Sequence, residues 1–282
     1  MRVTLILLII ADISVAGRLS LSNLRKSYFY KTRYPRNMPR PRVLHGQSAA
    51  KDEYPYVVSL IIEEPDKVKY RSCTGSLITD KWILTAGHCI VPDLKFVKCG
   101  NMSISWQKTE CKSEILEKIS HPSYFQTGFL TIADIGLVRI NEVMKGRAGR
   151  LHAADGKTLL GRAVRFAGFG MTYYSYDFGP KPFEDLEAED ETREIQTGDG
   201  VIFDVNDFLV IAPKCINIRH GPYFGDSGGP LFVDGKIAGV LSTGLHDHRD
   251  SKTLVNRKHP EHNFYTPISV YLDWIRLTIN NT

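Results

Sequence analysis

A chain of 282 residues with 43% hydrophobic and 24% charged residues has the composition of an ordinary folded protein, which excludes a disordered tail or a fibre. Its formal net charge of +5 is a misleading average, because residues 17–42 carry eight basic residues and no acid. With Arg2 and Asp12 cancelling, the remaining 27 basic and 30 acidic residues leave the body of the chain at −3, so the overall charge gives no argument for nucleic-acid or membrane binding.

The first segment, MRVTLILLIIADISVAG, places Arg2 before a short apolar run and ends on Ser14-Val15-Ala16, small residues of the kind a signal peptidase accepts. Cleavage after Ala16 is expected, giving a signal peptide over 1–16 and a secreted protein. The apolar run from Val3 to Ala11 is too short to span a bilayer. Residues 17–42, with Pro35, Pro39 and Pro41 among the arginines and lysines, have too few apolar residues in any period to pack. They read as a detachable basic propeptide.

From about residue 54 short apolar runs alternate with turn residues: Tyr56 to Ile62, Gly75 to Ile78, Lys81 to Leu84, Phe96 to Cys99, Ile135 to Ile140 and Ala163 to Phe169. This spacing predicts an all-β sandwich or barrel. Tyr173 to Asp199 is rich in Asp and Glu and reads as an irregular solvated segment, the sharper alternative being that it attracts the basic leader before processing. Asp234-Gly235, between two strand-like runs in PLFVDGKIAGVLSTG, predicts a hairpin. Only ISVYLDWIRLTIN from Ile268 has helical spacing, with Val270, Trp274 and Leu277 on the expected apolar face, joined by Leu272 and Ile275. Asn101-Met-Ser and Asn280-Asn-Thr are glycosylation sequons.

GPYFGDSGGPLF, residues 221–232, holds Ser227 among glycines with Asp226 directly before it. A serine hydroxyl is a poor nucleophile unless a base takes its proton, and that base must itself be oriented. Among nine histidines, His88 in WILTAGHCI follows a strand-like run and adjoins Cys89, which is suited to clamping it. Asp134 in TIADIGLVRI stands where the following apolar strand carries an acid inward.

TAGHC, ADIGLV and GDSGGP, in the chain order His, Asp, Ser, resemble the chymotrypsin-type (trypsin-like) secreted serine proteases. The resemblance runs from about Val43 to the terminal helix and implies an all-β fold: two packed antiparallel six-stranded β-barrels, roughly 43–150 and 151–267, with a C-terminal helix over 268–280. It also implies that Ser227 attacks the peptide carbonyl, His88 shuttles the proton, and Asp134 fixes the histidine. The N–H groups of Gly225 and Ser227 would hold the oxyanion. Ser242 matches the family serine beside the buried aspartate, and Gly244 the glycine that pairs with substrate backbone. Asp226 would pair with the α-amino group created by a cut between Arg42 and Val43, although Val43-Leu44-His45-Gly46 has His45 where the family has glycine.

Five cysteines are present, an odd number, so at least one lacks an intramolecular partner. The resemblance pairs Cys73 with Cys89. Cys99 and Cys111 flank a short hairpin-like segment and are candidates for a second bridge outside the family's usual set. Cys215 is expected to be a buried free thiol, with intermolecular pairing as the other reading.

Two departures bear on specificity. Gly221 stands where trypsins carry the aspartate that holds Lys or Arg, and Tyr223 replaces a cysteine that staples the pocket. The segment from Gly244 to Asn263 is long and polar and is assigned to the pocket wall, where Asp247 or Asp250 offers another route to a negative charge. A glycine base favours a large apolar or aromatic substrate side chain; an intruding loop favours small ones. His246, His248, His259 and His262 read as solvated rather than metal-binding, no calcium loop with paired glutamates matches Gly100 to Glu110, and no metal or cofactor is expected. The expected function is therefore a secreted, monomeric serine endopeptidase made as a zymogen. Its partners would be protein or peptide substrates, an arginine-specific activating protease and protein inhibitors. The rival reading is an inactive homologue serving as a binding module or cofactor in a protease cascade.

Overall fold

Alternation in the first apolar runs becomes a sheet that closes on itself. The structure is a computed structural model that describes residues 47–50, 52–65, 69–102, 104–127, 131–141, 145–170, 194–213, 222, 225–244 and 262–281. The signal and leader segments, Arg42, Val43, Cys215, Gly221, Tyr223, most of the acidic segment, and the His-rich stretch except His262 lie outside the described residues.

The strands in chain order are β1 (Gln47–Ser48), β2 (Val57–Glu63), β3 (Lys69–Leu77), β4 (Trp82–Thr85), β5 (Leu94–Lys98), β6 (Lys112–Ser120), β7 (Phe125–Gln126), β8 (Thr131–Ile132) and β9 (Gly136–Ile140). There follow β10 (Ala163–Gly168), β11 (Gln196–Val205), β12 (Leu209–Pro213), β13 (Pro230–Val233), β14 (Lys236–Gly244) and β15 (Asn263–Pro267). The first barrel closes in the order β2-β3-β4-β9-β6-β5, every pairing antiparallel. The second runs β11-β10-β13-β14-β15-β12 and closes through β11 on β12, with β1 added to β11. Both sheets thus bury their edges in closure.

One apolar cluster fills the first barrel and continues onto Ala167, Phe169, Phe232, Ile237 and Val240 of the second. Tyr54 stacks on Phe232 with ring centroids 4.9 Å apart, and Tyr56 meets the same ring edge-on. A second cluster around Ile202, Leu209, Leu231, Leu241 and Tyr265 fills the other barrel. The predicted hairpin forms between β13 and β14, and both turn residues, Asp234 and Gly235, adopt positive φ, at 49° and 71°.

Three sequence expectations are corrected. β11 begins at Gln196, inside the stretch read as irregular; Gln196 and Thr197 are buried polar residues held by β1 and β10 rather than by an apolar alternation. β6, KSEILEKIS, lies outside the predicted runs: Ser113 is its one buried residue, Ile115 and Ile119 are only half-buried against the core, and Leu116 is exposed. In the C-terminal helix α1 (Leu272–Asn280), Ile275 is buried and Leu272, Trp274 and Ile279 pack against the core, while Val270 and Leu277 are 70% and 56% exposed. Ser269–Tyr271 forms a 3₁₀ turn, which shifts the phase assumed for a single helix.

Cys99 and Cys111 are joined across the β5–β6 connection. Lys98, the last residue of β5, is fully buried, and its Nζ reaches into that loop to donate to the carbonyl oxygens of Met102 at 3.2 Å and Ile104 at 2.7 Å. Carbonyl oxygens thus solvate a charge that burial would otherwise penalise. No helix among the described residues is long and apolar enough to cross a membrane.

Candidate active site

His88 is delivered by β4 into a one-turn 3₁₀ segment, Gly87–Cys89, and the turn is fastened to β3 by the Cys73–Cys89 disulfide. Gly87 is required by close approach: a Cβ there would press on the Tyr124 ring and the Asp134 carboxylate. Asp134 lies between β8 and β9, fully buried, and follows Ala133 at φ 47°. Its Oδ1 accepts the backbone N–H of His88 at 2.8 Å. Its Oδ2 lies 2.8 Å from His88 Nδ1 and accepts from Ser242 Oγ at 2.6 Å.

The second barrel completes this enclosure. Ser242 comes from β14, and Thr266 of β15 donates its hydroxyl to the Asp134 carbonyl oxygen at 3.0 Å. Burial by itself would raise the Asp134 carboxyl, but the hydrogen bonds and charge of His88 and the hydrogen bond from Ser242 outweigh it and hold it below the usual carboxylate range. With Asp134 ionised, the short contact between its Oδ2 and Nδ1 of His88 requires a proton on Nδ1. Tyr124, over Gly87, is pushed up to about 12 by burial and by the Asp134 charge, so it stays a neutral phenol donating to Gln126 Oε1 at 2.9 Å.

The Ser227 loop is packed against the strand that leads to His88. Gly228 adopts φ 79°, and a Cβ on it would collide with Thr85 Oγ1 and the Thr74 carbonyl. The Ser227 carbonyl accepts Thr74 N–H at 2.8 Å, and Gly228 N–H donates to Leu241 at 2.9 Å, so both barrels hold the turn. Gly225 adopts φ 95°, a conformation that strongly favours glycine.

Asp226 is 3% exposed. Its Oδ1 accepts Gly170 N–H at 2.6 Å, and side chains at Gly168 or Gly170 would run into its carboxylate. Gly244 and Asn263 are register partners at the β14–β15 junction, whose connecting residues 245–261 are not described. Asn263 is 1% exposed and its Oδ1 has no hydrogen-bond partner among the described residues. Cys73, His88 and Cys89 cluster within metal-ligand reach, yet the two thiols are consumed by the disulfide, leaving one imidazole. The described residues therefore bring His88, Asp134, Asp226, Ser227, Ser242 and Gly225 to one seam. Sequence reasoning missed Thr266, Tyr124 and Thr74, none of which has a local motif.

Comparison with known proteins agrees with this geometry. The trypsin family profile matches residues 43–275. Anionic trypsin of Canis lupus familiaris is 25% identical over 244 residues, covering 84% of this chain and 90% of that protein. Melanization protease 1 of Drosophila melanogaster is 26% identical over 270 residues, covering 83% of this chain and 64% of that protein. Among solved structures, HL collagenase superposes with a TM-score of 0.62 at 22% identity, covering 83% of this chain and 97% of its own. Human heparin binding protein gives 0.60 at 18% identity, covering 84% and 96%. With a family match over most of its length and two closed six-stranded barrels, this chain belongs to the trypsin family of serine endopeptidases.

Proposed function

We propose that the protein is secreted as a zymogen, is activated by cleavage after Arg42, and hydrolyses peptide bonds through an acyl-enzyme formed on Ser227. Ser227 Oγ attacks the substrate carbonyl while His88 Nε2 takes its proton; the same proton then passes to the leaving amine. Water enters the acyl-enzyme by the same route, with His88 again the base. Asp134 keeps the proton on Nδ1 and stabilises the imidazolium formed in each half-reaction. The N–H groups of Gly225 and Ser227 receive the negative charge of the tetrahedral intermediate.

The observation that carries this reading is the set of three hydrogen bonds into the buried Asp134 carboxylate, two from His88 and one from Ser242. A merely structural carboxylate has no need to fix a half-exposed imidazole by its ring nitrogen. Support for activation comes from Asp226: a buried carboxylate cradled by Gly168 and Gly170 is a suitable counter-ion for the ammonium freed at Val43. Gly221, which in sequence stands where trypsins carry an aspartate, favours an apolar or aromatic substrate side chain, and Asn263 would supply a polar wall. The activator is an arginine-specific protease, and the active form is a monomer acting on proteins or peptides.

Fluorophosphonate labelling of the secreted protein before and after limited trypsin treatment, with Ser227→Ala as control and the new N-terminus sequenced, tests the proposal. Labelling that appears only with a Val43 terminus is expected. A correct Val43 terminus without labelling would make the binding-module reading the better one.

A further inference from the structure

The oxyanion donors proposed above sit on a loop that glycine makes conformationally loose. What holds that loop in place comes from the other barrel, through one residue. Thr74 of β3 is fully buried. Its Oγ1 donates to the Gly225 carbonyl oxygen at 2.8 Å and accepts Phe169 N–H at 3.2 Å. Its backbone N–H donates to the Ser227 carbonyl at 2.8 Å, and its own carbonyl accepts Thr85 Oγ1 at 2.9 Å.

These contacts have a directional consequence. Gly225 lacks a Cβ and sits at φ 95°, so local sterics do little to fix its peptide planes. The bond from Thr74 Oγ1 fixes its carbonyl, and the bond from Thr74 N–H fixes that of Ser227. Each bond holds the peptide unit directly after a residue whose N–H is a proposed oxyanion donor, so the turn bearing both donors is anchored at two points. On its other side the hydroxyl is locked by Phe169, whose neighbour Gly170 donates to Asp226 Oδ1 at 2.6 Å. One hydroxyl therefore ties the Gly225–Ser227 turn to the segment that receives the Asp226 carboxylate, and it uses one donor and one acceptor position to do so.

We infer that Thr74 is a positioning residue for the oxyanion hole, with its side-chain hydroxyl, rather than its volume, holding the Gly225–Asp226 peptide and so the turn that carries the Gly225 and Ser227 N–H groups. The inference rests on the serine-protease reading. Its chemical requirement is specific: a hydroxyl at residue 74 is needed, and an isosteric methyl leaves the Gly225 carbonyl and the Phe169 N–H without their partner.

The test compares wild type, Thr74→Val and Thr74→Ser, each cut at Val43, by kcat, KM, fluorophosphonate labelling rate, affinity for a peptidyl boronic acid and thermal midpoint. Misdirected donors act on the transition state, so Thr74→Val should lower kcat and boronic-acid affinity together, roughly 10- to 100-fold, with KM within about twofold. Thr74→Ser, which keeps the hydroxyl, should stay within about threefold of wild type. Should Thr74→Val fail to fold, Thr74→Ala, which leaves space instead of filling it, carries the same expectation. An active wild type with an equally active Thr74→Val, or with Val and Ser variants impaired alike, overturns this inference alone. A wild-type protein with a correct Val43 terminus that neither labels nor cleaves overturns the protease reading and the inference together.

Discussion

Ser242 Oγ lies 2.6 Å from the same Asp134 oxygen that faces His88 Nδ1 at 2.8 Å, so one buried carboxylate oxygen joins the two barrels. Ser242 is 6% exposed, and water has little access to replace it. A hydrogen bond to a charged group contributes about 1.5–3 kcal/mol. Ser242→Ala should therefore lower the thermal midpoint by roughly 3–12 °C for a domain of this size and reduce kcat several-fold through a less firmly held His88. A midpoint within about 1 °C of wild type would show that this bond contributes little.

The acid limb of stability follows from Asp134. Its folded pKa lies below the unfolded value of about 3.9, so its stabilising contribution is fully present above that value and is lost as pH falls through the folded pKa. Asp134→Asn cannot ionise. The midpoint difference between wild type and Asp134→Asn should be largest near neutrality and should shrink on acidification below about pH 3.9. Scans of both proteins across that range check the sign; a difference that widens toward acid would contradict it.

Asn263 offers a test of the pocket. Its side-chain oxygen is buried without a partner among the described residues, next to the Gly244 register position. Asn263→Asp would place a charge there, which requires a cationic partner to be tolerated. Profiling with a peptide library should show a shift from apolar toward Lys and Arg at the cleaved position. An unchanged profile would remove Asn263 from the pocket.

How far the sequence is legible depends on how local each constraint is. His88 and Ser227 stand in short motifs because Gly87, Cys89, Gly225 and Gly228, which meet the steric and covalent demands of the site, lie within two positions of them in the chain. Thr74 and Thr266 act across 151 and 132 residues of chain, on Gly225 and Asp134, and leave no mark on spacing. The same logic separates the strands. β2 and β9 are buried along nearly their whole length and show as apolar runs, whereas β6 buries only Ser113 and the start of β11 buries Gln196 and Thr197, so neither does. The helix was located by its period, but its buried face depended on the preceding 3₁₀ turn, a local geometry that periodicity alone does not report.

The Cys99–Cys111 loop should behave as a self-contained stabilising unit. Cross-linking a loop of this length, with a sequence separation of 12, contributes about 3 kcal/mol. Cys99→Ala/Cys111→Ala should lower the thermal midpoint by roughly 6–12 °C while leaving kcat near wild type, since the hydrogen bonds that hold Asp134, His88 and Ser242 together do not involve the loop. Because the Lys98 ammonium already engages the carbonyls of Met102 and Ile104, a calcium chelator should shift the midpoint by less than about 1 °C. A larger shift would mean that a bound cation stabilises the folded state at another place.

Gly170 separates cleavage from activation. Its N–H donates to Asp226 Oδ1 at 2.6 Å, and a Cβ built on it would occupy the space of that carboxylate. Gly170→Ala must therefore displace Asp226, and with it the Gly225–Ser227 turn that follows directly from the same backbone. Cleavage after Arg42 should proceed normally, giving a Val43 terminus by sequencing. Fluorophosphonate labelling should nevertheless fall by roughly 100-fold or more, the scale of losing an oxyanion donor. Cleavage with full labelling would mean that the Asp226 cradle is not needed for the active conformation, and the proposed role of the new ammonium would fall with it. Loss of cleavage as well would indicate a folding defect, which the thermal midpoint of the uncut protein distinguishes.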